Sequence, residues 1–485
     1  MFQPHLSDHL AQSFSFFVKE SKICEFRKKV RKYTSNSMSQ FLRSLAHIDW
    51  ECIRRIDSNN VDDMWNSFSC IYRNMFGKCF PLVSVTENKK NYKNVLNHDP
   101  HIKFLKSQLD LYFLLSKRNN DFVEVYKQVK KIYDSALTKK KQAYYGTLIA
   151  NSSNKQKTTW KIIKNLTTSI SSSILPLPPG DGIDVANEFN KLFSSNFNIQ
   201  EASRKCKTLS YLQISFYFFP VTPNEVTKTV RRLKNSISSG HDGIPMNVIK
   251  KSIHLINEPL SFIINNSCVQ GVFPDDLKTA IIKPLYKKGP YTELENYRPI
   301  NLLTSFSKIF EKIIANRLLS FFRKFGVFTK YQHGYLPNKC SETAIFELTQ
   351  KILKIIDDGH IPLALFLDMS KAFDRVDHNI LLHKLNNYGI RDNQLKLIQS
   401  YLAHRKQKVS LSTDEGEVFS SLCESNAGVP QGSILGPLLF LIYILMIFLR
   451  KFQKNHSILL SIRMTPILLL PAVILKGSEE RQREL

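Results

Sequence analysis

Much of what would identify an ordinary enzyme or membrane protein is missing from this chain. Its eight cysteines (Cys24, Cys52, Cys70, Cys79, Cys206, Cys268, Cys340 and Cys423) never fall at Cys-x-x-Cys spacing. That argues against a zinc ribbon or knuckle, and scattered single thiols fit a reducing compartment. Met-Phe-Gln-Pro-His-Leu at the start lacks a charged segment leading into an apolar one, so no signal peptide is expected. The longest apolar stretch, Ile434 to Leu449, has 16 residues and contains Gly436 and Pro437, short of the ~18–20 that a bilayer requires. A second, from Ile458 to Leu475, is broken by Arg463, Pro466 and Pro471, so no stable membrane association is expected. No internal repeat is present. Acidic residues are scarce, 41 against 68 Lys plus Arg, and the net charge of +27 is spread along the chain. Such an excess suits a polyanion such as RNA or DNA, although charge alone equally suits a basic protein with no such partner. After Gly436 there is no aspartate at all.

What remains is enough for a large core: 43% hydrophobic and 11% aromatic residues in 485 positions argue against wholesale disorder. Residues 1–165 read as helices. The clearest, about Asp121 to Ile149, places Tyr126, Val129, Tyr133, Leu137, Tyr144 and Leu148 at spacings near three, four and seven, with Asp121 as its cap. Lysines 127, 130, 131 and 139–141 cover its other faces, as a nucleic-acid-tracking helix or a plain solvated face would have it. Residues 166–205 are expected to be a linker, announced by Pro176, Pro178, Pro179 and Gly180. Strands and helices alternate from about 206. A turn cluster, Ser239 to Pro245, opens a helix from Met246, and further helices are expected at Thr304–Phe322 and Ser341–Asp358. In the last of these, Ile345, Leu348, Ile352, Ile355 and Ile356 form the inward face. Leu363–Leu367 reads as a buried strand, and Asp377 as the cap of a helix that closes at Gly389.

Four segments carry chemistry. Asp368 ends the apolar strand in Phe-Leu-Asp-Met-Ser-Lys-Ala-Phe-Asp, where a rigid carboxylate suits a hard divalent ion. Phe373, five positions on, could press on a sugar ring and exclude a 2′-hydroxyl. Gly428-Val429-Pro430-Gln431-Gly432-Ser433 is a turn that lets backbone approach a flat ligand, and Gln431 offers both donor and acceptor. Upstream, Lys287 and Lys288 in Lys-Pro-Leu-Tyr-Lys-Lys-Gly precede Arg298 in Asn-Tyr-Arg-Pro-Ile-Asn-Leu; a lysine and an arginine on one hairpin can clamp a triphosphate. Singly, each of these is matched by a bland alternative: a capping aspartate, a core ring, a Gly/Pro loop, surface charge.

In order and in one run of about 160 residues, the four resemble the reverse transcriptase of a non-LTR, LINE-type, jockey-like retrotransposon. Similarity spans about Tyr217 to Ile444. The resemblance implies an α+β fold: right-hand polymerase fingers (206–345) and an incomplete palm (346–444), preceded by a mainly helical region (1–165) like the stretch between endonuclease and polymerase in such elements. It implies RNA-directed DNA polymerase chemistry, a nucleotidyl transfer assisted by two Mg²⁺ ions, on an RNA template, a DNA primer and deoxynucleoside triphosphates inside the cell, in cytoplasm or nucleus. Asp368 would bind both metals, Phe373 would be the steric gate, Gln431 and Gly432 would line the nucleotide pocket, and Arg298 with Lys287 or Lys288 would meet the triphosphate. Tyr331 to Leu336 departs from the family, which usually carries Phe-Arg after Gly334; Leu336 supplies no charge for a template contact.

The family completes its metal site with a Tyr-Ala-Asp-Asp hairpin, since one carboxylate cannot hold two ions ~3.5–4 Å apart. A sheet without that hairpin, with an exposed edge beside Asp368, is expected here, and an enzyme defective in this chain. The genetic code suggests why. From the third base of Met446, Met-Ile must read GAT; from the third base of Met464, Met-Thr must read GAC. Both give aspartate in one shifted frame. Arg463 ending in G gives a second aspartate before the latter, and Ser461 ending in T gives a tyrosine. Residues 445–485 are therefore expected to be an out-of-frame tail, displaced just after Tyr443.

Overall fold

An apolar run at helical spacing after Thr304 builds the centre of one compact unit. The computed structural model describes residues 27–57, 60–86, 99–152, 154–167, 177–194, 213–328, 332–366, 372–413, 416–425, 427–452, 458–462 and 465–472. In chain order the helices are α1 (Ser35–Ala46), α2 (Glu51–Arg54), α3 (Val61–Cys79), α4 (Pro100–Ser116), α5 (Phe122–Ala150), α6 (Lys155–Thr167), α7 (Gly182–Ser194), α8 (Pro223–Arg232), α9 (Met246–Gln270), α10 (Ser305–Lys324), α11 (Ser341–Asp357), α12 (His378–Asn387), α13 (Asp392–Leu402) and α14 (Gly436–Phe452). The strands are β1 (Arg27–Arg31), β2 (Leu82–Thr86), β3 (Thr279–Tyr286), β4 (Tyr297–Leu302), β5 (Ile361–Phe366), β6 (Arg405–Thr413), β7 (Gly416–Phe419), β8 (Cys423–Ser425), β9 (Ile458–Ile462) and β10 (Thr465–Ala472). Mixed helix and sheet make this an α+β fold.

Two compact units divide the chain: Lys29–Val83 with Pro176–Leu485, and Met1–Lys28 with Ser84–Leu175. The 1–165 region is thus split between them. In the larger unit Thr304 caps α10 by accepting the Ser307 N–H at 3.0 Å. Ile309, Phe310, Ile313, Ile314 and Leu318 are buried along α10. From the N-terminal segment, α3 lays Trp65, Phe68 and Tyr72 against Phe306, with ring centroids 5.4, 5.6 and 5.2 Å away. These edge-on contacts make α3 part of the same core.

The expected linker at 166–205 is not one throughout. Gly182–Ser194 is a helix whose Val185 and Phe189 are buried against Ile282, Tyr297, Val409 and Leu411. The apolar i, i+4 pair needs a partner, and the sheet supplies it. That sheet runs β4-β3-β6-β7, with β8 also on β6; β3 is antiparallel to β4 and parallel to β6.

Around β5 the structure departs from two expectations. The strand forms, but Ile361, Leu363 and Phe366 are half exposed or more. Burial on both faces needs cover on both faces, and β5 is instead the edge of a three-stranded antiparallel sheet ordered β5-β10-β9. Nor is the inward face of α11 as expected: only Ala344 is buried, while Ile345 and Ile356 are exposed. A narrow sheet leaves most of that helix face open.

The sheet also has the hairpin expected to be missing. β9 and β10 pair antiparallel, Thr465 opposite Ile462, and β10 lies along β5 with Ile467 opposite Phe366 and Leu469 opposite Ala364. A run of apolar residues provides the strand even though its chemistry differs from the family's.

Candidate nucleotide site

The Gly428–Ser433 loop is fixed from two sides. On one side the Val429 N–H donates to the Phe373 carbonyl at 2.9 Å and the Gly428 N–H to the Val376 carbonyl at 3.1 Å. His378 Nε2–H donates to the Gly428 carbonyl at 2.7 Å. Gly428 has φ +73°, and a Cβ there would lie 2.7 Å from the Phe373 oxygen; a side chain would push the loop off the turn that follows Asp368. On the other side the Asn301 N–H donates to the Gln431 carbonyl at 2.9 Å. Gly432, at φ +121°, would place a Cβ 2.6 Å from the Asn301 oxygen. The loop therefore joins the end of β4 to the turn at residues 372–375. Between these anchors Ser433 N–H closes on the Pro430 carbonyl at 3.2 Å. Gln431 is half-buried and Gly432 exposed.

Phe373 is buried, 7% exposed, with its ring 4.9 Å from Phe440 and 6.1 Å from Tyr335. Asp368 lies outside the described residues.

Arg298 is exposed on β4, directly opposite Leu285. The other face of this sheet, carrying Ile282 and Tyr297, is covered by α7. Strand alternation puts Arg298 and Lys283 on the open face, and the parallel register of β6 adds Lys406 and Lys408 to it. Lys283 Nζ sits 3.1 Å from a Glu417 oxygen. Lys287 and Lys288 are exposed just past the end of β3. The structure thus brings Gln431, Gly432, Phe373 and the β3–β4 hairpin into one connected framework through backbone bonds.

Sequence reasoning missed Glu311. Fully buried in α10, its Oε2 accepts the Ile434 and Leu435 N–H groups at 2.6 and 3.0 Å, and Ser307 Oγ donates to Oε1 at 3.1 Å. Burial pushes its pKa up, against the Leu435 and Ile434 N–H groups, the Arg405 charge and the Ser307 bond. The signal was available: Ser307, Glu311, Ile314 and Leu318 share one helical stripe, and a charge inside an apolar stripe needs a buried partner.

Among the described residues no group of three or more His, Cys, Asp or Glu could hold an ion. The strands beside β5, Ile-Leu-Leu-Ser-Ile and Thr-Pro-Ile-Leu-Leu-Leu-Pro-Ala, contain no carboxylate. Among the described residues no helix is long and apolar enough to cross a membrane.

Comparison with known proteins agrees with this architecture. Residues 285–462 match the family described as reverse transcriptase (RNA-dependent DNA polymerase). The chain is 33% identical over 233 residues to a probable RNA-directed DNA polymerase from transposon X-element of Drosophila melanogaster, covering 48% of this chain and 25% of that one. It is 32% identical over 239 residues to the corresponding protein of transposon BS from the same organism, with the same coverage. The polymerase of mobile element jockey, again from Drosophila melanogaster, is 28% identical over 337 residues, 66% of this chain and 36% of that one. The class is therefore set by residues 285–462, which form a reverse transcriptase domain. Within it, the domain is a jockey-like one of the non-LTR retrotransposon kind. The chain spans 25% of the length of the first two relatives.

Proposed function

We propose that this chain is an RNA-directed DNA polymerase domain that does not extend a primer as it stands. The carrying observation is the β9–β10 hairpin laid along β5, the strand that leads to Asp368: neither its strands nor the Arg463-Met464 pair that joins them in sequence supplies a carboxylate. In this reading Gln431 and Gly432 line the nucleotide pocket, Phe373 limits the sugar, and Arg298 with Lys287 or Lys288 meets the triphosphate. Asp368 is the remaining carboxylate of a Mg²⁺ site. The partners are an RNA template, a DNA primer and deoxynucleoside triphosphates, met in the cytoplasm or nucleus. Fingers over 206–345 and palm over 346–444 remain the working division.

The hairpin also supports a displaced reading frame. β9 ends at Ile462 and β10 begins at Thr465, and in sequence Arg463 and Met464 lie between them, where the shifted frame reads Asp-Asp if the Arg463 codon ends in G. Coding DNA across codons 440–485 tests this: the shifted frame should encode Tyr-(Ser or Thr)-Asp-Asp followed by further polymerase-like sequence, and its absence would refute the displacement. Primer extension with Mg²⁺ tests the functional reading itself.

A second reading, a non-catalytic nucleic-acid-binding remnant, is favoured by the distribution of charge. Pro100–Thr167 contains 14 Lys plus Arg and 4 Asp plus Glu. No residue of α5 is buried, and its lysines are exposed. In the other unit Lys283, Arg298, Lys406 and Lys408 share the open sheet face. Salt-sensitive RNA binding without synthesis would be its signature.

A further inference from the structure

We infer that Glu311 is the positioning residue of the nucleotide-facing loop, holding it through the amides of Ile434 and Leu435, which lead into α14. The inference rests on the reading of Gly428–Ser433 as that loop. Backbone bonds to Val376, Phe373 and Asn301 hold Gly428, Val429 and Gln431. The far end has a different anchor. There the Ser433 hydroxyl donates to the Pro430 carbonyl at 2.8 Å and receives the Gly436 N–H at 3.0 Å. Gly436 permits this approach, since a Cβ on it would lie 2.4 Å from Ser433 Oγ. Neither bond reaches outside the loop and its own helix.

Glu311 provides that outside link, from a helix 123 positions earlier in the chain. One carboxylate oxygen takes both the Ile434 and Leu435 amides, at the positive end of the α14 dipole, where a negative charge is most favoured. The other oxygen is occupied by Ser307, so the carboxylate cannot swing away without losing a second partner. Arg405, whose guanidinium stacks 4.8 Å from the Tyr401 ring, lends its charge to the same buried place. A carboxylate in this position is worth its desolvation only if the amides need holding. They do: pocket-lining Gln431 and Gly432 are three residues away, and a shift of about 1 Å in a positioned group suffices to disable a site.

Hydrogen–deuterium exchange on the full chain tests this apart from any polymerase activity. With Glu311→Ala, exchange over 428–436 should accelerate by about tenfold or more, with peptides of α9 and α13 close to wild type. Glu311→Gln, whose carbonyl can still take both amides, should stay within about twofold of wild type. Should Glu311→Ala not fold, Glu311→Asp decides, because its shorter arm withdraws the carboxylate and should free the same peptide. Unchanged exchange over 428–436 in the Ala or Asp variant, acceleration spread evenly over the core, or a Gln variant as fast as Ala would each overturn the inference. Failure of primer extension bears only on the catalytic reading, so the two fail separately.

Discussion

Ile467 of β10 stands opposite Phe366 of β5 in antiparallel register. That pairing lays an apolar hairpin along the strand that leads to Asp368, and the residues joining its two strands in sequence, Arg463 and Met464, are not carboxylates. Sheet formation asks only for β-prone residues with a face to bury, whereas metal binding asks for particular atoms. The tail meets the first demand and not the second.

The nucleotide loop should be intolerant of any side chain at Gly432. With φ at +121° and the Asn301 oxygen 2.6 Å from a built Cβ, Gly432→Ala should cost about 1–3 kcal/mol. Urea denaturation of the purified chain measures it, and a change under about 0.5 kcal/mol would mean that the loop does not abut β4.

Residues 29–83 should be indispensable to the core built around α10. Trp65 is 1% exposed, lies 5.4 Å from Phe306 and 5.7 Å from Phe310 by ring centroid, and donates from Nε1 to Asp276 at 2.9 Å. Trp65→Ala should cost about 3–5 kcal/mol. Limited proteolysis should then cut within 213–328 as well as in α3; cutting confined to α3 would show two separate folding units.

How much of this was legible beforehand divides along physical lines. The helices at 305–324 and 378–387 could be read because their caps are local: Thr304 and Asp377 each accept an amide three residues on. The tight turn at 428–433 could be read because Gly428 and Gly432 answer to backbone geometry that few residues tolerate. The attachment of α3 could not, since Trp65 and Asp276 are 211 positions apart and no local pattern reports such a pair. Asp121 shows the opposite error: it stands at the N-cap position of α5, but its side chain caps nothing. The apolar residues of α11 read as inward because periodicity reveals a face and not what covers it.

Asp276 should make stability depend on pH at the acid end. It accepts from Arg73 Nη2 at 2.6 Å, Trp65 Nε1 at 2.9 Å and His241 Nε2 at 3.1 Å. Burial alone would raise its pKa, but the His241 and Trp65 bonds and the Arg73 charge outweigh it and hold the value at about 2, below the ordinary 3.8. A depressed carboxylate contributes stability that is present above the unfolded value and lost as pH falls toward the folded one. The wild-type minus Asp276→Asn difference in unfolding free energy should therefore shrink between about pH 4 and pH 2, by an amount on the order of 2 kcal/mol. A flat difference over that window would contradict the assignment.

If α5 touches RNA, its exposed lysines should appear in the salt dependence. Replacing Lys139, Lys140 and Lys141 by Gln should reduce the slope of log affinity against log salt by up to about 2 for a single strand. Lys140 is also 2.6 Å from Asp99, so helix content by circular dichroism serves as the control. An unchanged slope with intact helix content would remove α5 from the interface.

The most direct measurement is primer extension by the full chain on an RNA template with Mg²⁺ and all four deoxynucleoside triphosphates. The predicted result is no incorporation above a protein-free control, with the template bound in a salt-sensitive manner. Incorporation that Asp368→Ala abolishes would contradict the account, because a chain whose β9–β10 hairpin lacks carboxylates would then be an active polymerase.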